Sequence, residues 1–351
     1  MDKIQQLETK LEETRNSLST DRLDMSFGEI MSMYEREEII IDPDFQRLFR
    51  WDTYQKTRFI ESILIGIPIP PIFVAEDKNG RWELVDGLQR ISTIFSFFGI
   101  LRSMPEKNNW ILCKGDIADD LEKLACKDLP LKFQLNIKRA SCRVEIIKWN
   151  SVFDMRYELF NRLNTGGSEL TDQEIRNAIF RGVSKDFNSF LRRCSENTDF
   201  INLIQPTERQ LEQLYMDELA LRFCSLTDLR EELSENISQH MTNYMKVAVA
   251  KSEKIPELEK SFNEIVKILS PIGKDVFRGS NNVFSTSLFD CVMIGISKYI
   301  NRYRTERTDV IIGKIESLKS SDSFKKASGS ASASKSRILK RMEVAEEIFS
   351  N

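Results

Sequence analysis

The chain has 351 residues, 41% hydrophobic and 30% charged, with a formal net charge of −3. That length buries a large core, in two domains or in one with a long helical extension, and the near-balanced charge announces no bulk nucleic-acid binder. Six scattered cysteines without a C-x-x-C and a single histidine, His240, argue against a zinc site and against a histidine-based nuclease of the H-N-H type. No apolar signal core opens the sequence and no apolar run approaches a membrane span, so a cytoplasmic protein with reduced cysteines and no membrane partner is expected.

Residues 1–22 place Ile4, Leu7, Leu11 and Leu18 on a heptad-like stripe. A short amphipathic helix is expected there, packed on its own domain or paired with another chain as an oligomer contact. Ser26 or Asp24 then opens a second helix through Ile30, Met31 and Tyr34, and Ile39–Ile41 reads as a β-rich run. The segment DPDFQRLFRWD, residues 42–52, interleaves Gln46, Arg47 and Arg50 with Phe45, Phe49 and Trp51. Arginine and aromatic side chains so mixed can grip phosphate and stack on a base; the same aromatic residues can equally be core. A helix follows from Thr53 to a stop at Gly66, then a proline-rich turn, a strand from Ile72 to Ala75 and a hairpin at Lys78-Asn79-Gly80.

The stretch RWELVDGLQRISTIFSFFG, residues 81–99, reads as a strand, a tight turn at Gly87 and an amphipathic helix ending at Gly99. A helix that begins directly after a strand presents free N–H groups and a partial positive charge, which suits a phosphate. Arg90 can neutralise that phosphate, Gln89 can hydrogen-bond, and Asp86 can hold a metal ion or a ribose hydroxyl. The plain alternative is a common D-G turn in which Arg90 pairs with Asp86.

Residues 102–140 read as an irregular insertion with a short helix, and 140–149 as another strand. A helix through Phe153–Leu163 breaks at Asn164-Thr165-Gly166-Gly167, and Thr171 with Glu174 forms a capping box for the next. The N-T-G-G loop is a second candidate anion site or a plain connection. Beyond Val183 nearly everything is helical, with 208–235 read as a solvated acidic face and His240 placed at the surface of a polar helix. Residues 320–336 read as a mobile Ser/Ala/Gly/Lys-rich loop before a terminal helix. Between 302 and 341 there are eleven Lys or Arg against four Asp or Glu. That excess makes Lys325, Lys326, Lys335, Arg337, Lys340 and Arg341 candidate DNA contacts.

Three segments together, FQRLFRW (45–51) with its helix and IPIPPIFV, VDGLQRISTIFSFFG (85–99), and LFNRLNTGGSELTDQEIRNA (159–178), resemble the N-terminal domain family of the GmrSD modification-dependent restriction enzymes. Related domains occur in other bacterial antiphage proteins. The resemblance implies an α+β fold, ParB/sulfiredoxin-like with a small mixed sheet, over 25–182. A mainly helical region over 183–319, a basic segment with a terminal helix over 320–351, and the helix of 1–24 complete the expected organisation.

It also implies NTP binding and hydrolysis, with Mg²⁺ as the accompanying ion. Asp86, Gly87, Gln89 and Arg90 match a motif that is usually D-G-Q-Q-R. Gln46 and Arg47 match its Q-R pair, and Asn164, Thr165, Gly166 and Gly167 its N-T-G-G loop. Asp86, Gln89 and Arg90 would then act on the nucleotide, with Asp86 as metal ligand, and Arg50 would add positive charge. Leu88 replaces the first glutamine, which weighs against hydrolysis more than against binding. The family's H-N-H nuclease domain has no counterpart here, so a separately encoded nuclease is an expected partner. Two other readings stand beside this one: a non-enzymatic DNA- or partner-binding protein with a vestigial motif, and a metal-dependent nuclease using Asp86 and Glu83.

Overall fold

A computed structural model describes residues 3–16, 19–41, 49–148, 171–180, 184–228, 232–234, 236–248, 252–329 and 332–350. The chain divides into two compact units, residues 1–169 and 170–351. No helix among the described residues is long and apolar enough to cross a membrane.

The first unit is α+β. Helix α1 (Lys3–Asn16) leaves Ile4, Leu7 and Leu11 exposed. Strand β1 (Thr20–Ser26) follows, where the stripe of apolar residues predicted helix to residue 22. Ser26 caps α2 (Phe27–Glu35), accepting the Glu29 N–H at 3.2 Å. After β2 (Ile39–Ile40), Asp52 and Gln55 close a reciprocal capping box on α3 (Thr53–Leu64). Strands β3 (Ile72–Glu76) and β4 (Trp82–Asp86) form the predicted hairpin, whose turn Asp77 ties by accepting the N–H groups of Asn79 and Arg81. Helix α4 (Leu88–Phe97), an insertion of 3₁₀ turns, α5 (Leu131–Arg139) and β5 (Ser141–Ile147) complete the unit.

The sheet order is β1-β5-β3-β4-β2, with β1·β5 and β3·β4 antiparallel and β5·β3 and β4·β2 parallel. Val74, Leu84, Val144 and Ile146 of the inner strands are buried with Phe27, Ile30, Ile60, Ile91, Ile94 and Phe95 of the helices. Burial on this scale stabilises by about 1.5–3 kcal/mol for each large apolar side chain.

The second unit is helical: α6 (Asp172–Phe180), α7 (Lys185–Ser195), α8 (Thr198–Ile204), α9 (Glu208–Glu212), α10 (Tyr215–Asp228), α11 (Ile237–Ala248), α12 (Ile255–Leu269), α13 (Thr286–Lys298), α14 (Ile300–Tyr303), α15 (Thr308–Ser320), α16 (Asp322–Ser328) and α17 (Lys335–Ser350). The expected Thr171–Glu174 capping box opens α6, with the Thr171 N–H donating to Glu174 Oε2 at 2.6 Å. That helix belongs to this unit and not to the first, because buried Arg176 reaches Ser238 and Glu218.

Three expectations are corrected. The acidic stretch 208–235 is a solvated face at its start, where Glu208, Arg209, Leu211 and Glu212 are exposed, but not along α10, where Leu219 to Leu226 are all buried. His240 is not on the surface. It is buried, with Nε2 3.1 Å from the Ser225 carbonyl oxygen, because Ile237, His240, Met241 and Tyr244 share the inner face of α11. Residues 322–328 are helix and not loop, since Phe324 and Ala327 pack inward.

A buried charge cluster ties three of these helices. Asp290 on α13 accepts from Arg222 of α10 at 2.5 and 2.7 Å and from Arg341 of α17 at 2.9 Å. Nearby, Gly295 lets α17 approach: a Cβ there would lie 2.5 Å from a Phe349 ring carbon.

Candidate functional site

The D-G-L-Q-R turn begins where β4 ends. Trp82, Leu84 and Val85 are buried, and Asp86 emerges at the strand's end. Gly87 carries the chain round with φ of +96°, and a Cβ at this position would sit 2.5 Å from Ile72 Cγ2 on the neighbouring strand. Both the left-handed backbone and the missing room demand glycine. Helix α4 then starts with no side-chain cap at its N-terminus. First-turn N–H groups of such a helix point outward with a partial positive charge.

Arg90 lies one turn along α4. Its Nη2 pairs with Asp86 Oδ2 at 3.0 Å and its Nη1 donates to the Pro70 carbonyl oxygen at 3.3 Å. The Arg90 side chain is 15% exposed and that of Asp86 49%, so the guanidinium is tucked against the sheet while the carboxylate faces water. Arg90 also acts on Cys142 of β5, whose thiol burial pushes up to about 11 against the pull of the nearby cation.

Gln89 has a different task from Arg90. Its Oε1 accepts the backbone N–H groups of Arg50 at 3.0 Å and Trp51 at 3.1 Å. Lys107 Nζ donates to the Phe49 carbonyl oxygen at 3.0 Å. Residues 49–51 are thus stapled across the start of α4, and Trp51 packs edge-on to Phe59 of α3. The D-G-L-Q-R turn thus meets residues 50 and 51 of the FQRLFRW segment through their backbone. The amide oxygen of Gln89 is committed to this strap. Leu88, at the place of the family's first glutamine, is buried.

Gln46 and Arg47, and the loop Asn164, Thr165, Gly166 and Gly167, lie outside the described residues. Of the candidate DNA contacts, Lys325, Lys326 and Lys340 are exposed, while Lys335 and Arg337 are half-buried, with Arg337 bonded to the Lys326 carbonyl oxygen at 2.7 Å. Arg341 is corrected: it is 1% exposed and held by Asp290 and the Ser332 carbonyl oxygen, so it serves the core and not a DNA surface.

Sequence reasoning passed over Glu61. This buried carboxylate on α3 accepts the N–H groups of Asp116, Ile117 and Ala118 at 3.2, 2.9 and 2.7 Å and fixes the loop beside the helix. Its signal was a charge on the same helix face as Thr57 and Ile60, all three of them buried. Among the described residues no group of three His, Cys, Asp or Glu could hold a metal ion.

Residues 27–181 match the family model described as "GmrSD restriction endonuclease, N-terminal domain". No curated protein matches the chain, and no solved structure matches it.

Proposed function

The chain carries, over residues 27–181, a domain of the GmrSD restriction endonuclease N-terminal family, and from that premise we propose that it binds a nucleoside triphosphate at the Asp86–Arg90 turn and uses it to gate action on DNA. The domain is one of restriction and defence. The observation that carries the nucleotide reading is the strap: Gln89 holds the backbone of Arg50 and Trp51 against an uncapped helix start, beside a glycine that no other residue can replace. A merely structural D-G turn needs no second segment fastened over it.

In this reading the first-turn N–H groups of α4 and Arg90 take the phosphates. Arg90 is aimed by Asp86 until a phosphate competes for it. Asp86 then faces the ribose or a phosphate-borne Mg²⁺, which would supply charge neutralisation. Gln89 holds the strap, and the side chain of Arg50 adds positive charge. Buried Leu88 orients no water, which favours binding over hydrolysis. His240 is buried in the helical unit, so we assign strand cleavage to a nuclease partner outside these 351 residues.

The test is thermal stability of the chain with each NTP, with and without Mg²⁺. A ligand confined to the folded state adds about 2.7 kcal/mol at a hundred times its dissociation constant. The expected result is a shift with at least one NTP that Arg90→Ala abolishes. A shift that survives in Arg90→Ala removes the site; no shift with any NTP removes the function.

A further inference from the structure

A second concentration of positive charge lies on the far end of the same strap. Lys56 on α3 and Lys107, closing the 3₁₀ turn Pro105–Lys107, both set their ammonium groups over the ring of Phe49, at 5.8 and 5.1 Å from its centroid. Lys56 is also 4.5 Å from the Trp110 centroid. Trp110 is itself fixed by its indole N–H on Ser96 Oγ at 3.1 Å, and Phe49 is buried. The floor of this cluster is therefore rigid and apolar, and two half-buried cations stand on it.

Those cations repel one another. Burial and the Lys107 ammonium together hold Lys56 below the ordinary lysine range. The carboxylate that opposes this effect on Lys56, Asp52, is occupied in capping α3, where it accepts the Gln55 N–H at 2.8 Å. A cation–π contact returns about 0.5–1 kcal/mol at an exposed site. Those contacts, with the Lys107 hydrogen bond to the Phe49 carbonyl oxygen at 3.0 Å, seat each ammonium and still leave two like charges side by side. A phosphate oxygen seated between them would turn the repulsion into attraction, since each ammonium offers several rotatable donors.

We propose that Lys56 and Lys107, on the Phe49–Trp110 floor, form a phosphate-binding subsite distinct from the Asp86–Arg90 turn. The inference extends the nucleotide reading of this domain but does not use Arg90. The phosphate has two sources, the triphosphate itself or the backbone of a polynucleotide, and one experiment separates them. The full chain is titrated with a labelled DNA duplex by fluorescence anisotropy between 50 and 200 mM salt, and with each Mg-NTP by thermal shift; ~0.9 is expected in the log–log salt slope per duplex phosphate neutralised.

In Lys56→Met/Lys107→Met the slope is expected to fall by about 0.9, with NTP shifts unchanged, if the phosphate belongs to DNA. A tenfold or greater loss of NTP affinity at an unchanged DNA slope assigns it to the nucleotide. Either result supports the subsite, and a purely structural pair of lysines would move neither. Lys107→Gln alone, at a half-buried turn position, covers the case in which the double variant does not fold, with a slope fall of up to about 0.9 expected. Unchanged slope and unchanged NTP shifts in a folded variant overturn the subsite, as does a wild-type chain that binds neither probe. Loss of NTP shifts in Arg90→Ala with no effect of the lysine variants overturns the subsite while leaving the turn's function standing.

Discussion

Each unit of the chain contains aspartate held by arginine, and the two constellations are built to opposite ends. In the first unit, Asp86 meets Arg90 through one contact at 3.0 Å and keeps half its surface in water. In the second, Asp290 is held by Arg222 and Arg341 through three contacts of 2.5–2.9 Å, with none of the three side chains more than 7% exposed. A solvated pair contributes at most about 1 kcal/mol and can trade its partner for a ligand. Removing one member of a buried cluster strands the others in low dielectric and costs about 3–5 kcal/mol. The same residue types thus serve exchange in one unit and architecture in the other, and solvent decides which.

The largest effect expected from that contrast is in Asp290→Asn. It should lose about 3–5 kcal/mol of unfolding free energy in urea titration, because two buried guanidinium groups would face a neutral amide. Next is Gly87→Ala, where about 1–2 kcal/mol of left-handed backbone strain adds to about 1–3 kcal/mol of overpacking against Ile72. Gly313→Ala is its control, with open space for a Cβ inside α15, and there helix propensity favours alanine by up to about 1 kcal/mol.

A smaller, pH-dependent effect is expected at His240. Burial holds its pKa below the ordinary histidine value, with Ser225 opposing and Glu232 and Lys335 as its charged neighbours. The unfolded chain therefore binds the proton first. Stability is full above about pH 6.5 and falls as the pH drops through that value toward the lower folded-state pKa. Melting of wild type and His240→Gln at pH 7.5 and 5.5 checks this: the acid loss should shrink in the variant. Smallest is Asp86→Asn, expected within about 1 kcal/mol of wild type in the same urea titration. A loss there equal to that of Asp290→Asn would end the contrast.

What was legible in the sequence was local. The Thr171–Glu174 box, the Lys78–Gly80 hairpin, and the passage from strand through Gly87 to helix all depend on neighbours a few residues apart. Strand β1 was not legible, because it lies at the sheet edge with both faces largely exposed and has only Leu23 and Met25 to mark an alternation. Arg341 was misread because charge was counted along the chain. Read at helical spacing, it stands on the stripe of Ile338, Met342, Ala345 and Phe349, all buried. His240 repeats the lesson, since its polar neighbours in sequence point elsewhere around the helix. At the candidate site, the turn was readable and the partners of Gln89 were not: nothing in sequence spacing joins residue 89 to residues 50 and 51.

The register of the sheet also imposes a timetable on the domain's assembly. β5 closes on β1 with Thr20 opposite Ile147 and on β3 with Ile72 opposite Val144. The strap, the D-G turn and Lys107 are all synthesised well before β5, yet the sheet beneath them cannot close until residue 147 has cleared the ribosome. Pairings so distant in sequence form slowly and leave strand edges open meanwhile. On β1 that interval is guarded by Asp21, Arg22 and Asp24, whose charges oppose pairing with another chain. On β3, with its run Ile72-Phe73-Val74-Ala75, no such guard exists within the strand until Glu76. A nascent chain stalled in the 102–140 insertion is therefore the form of this protein most exposed to aggregation, and β3 is the strand through which it would begin.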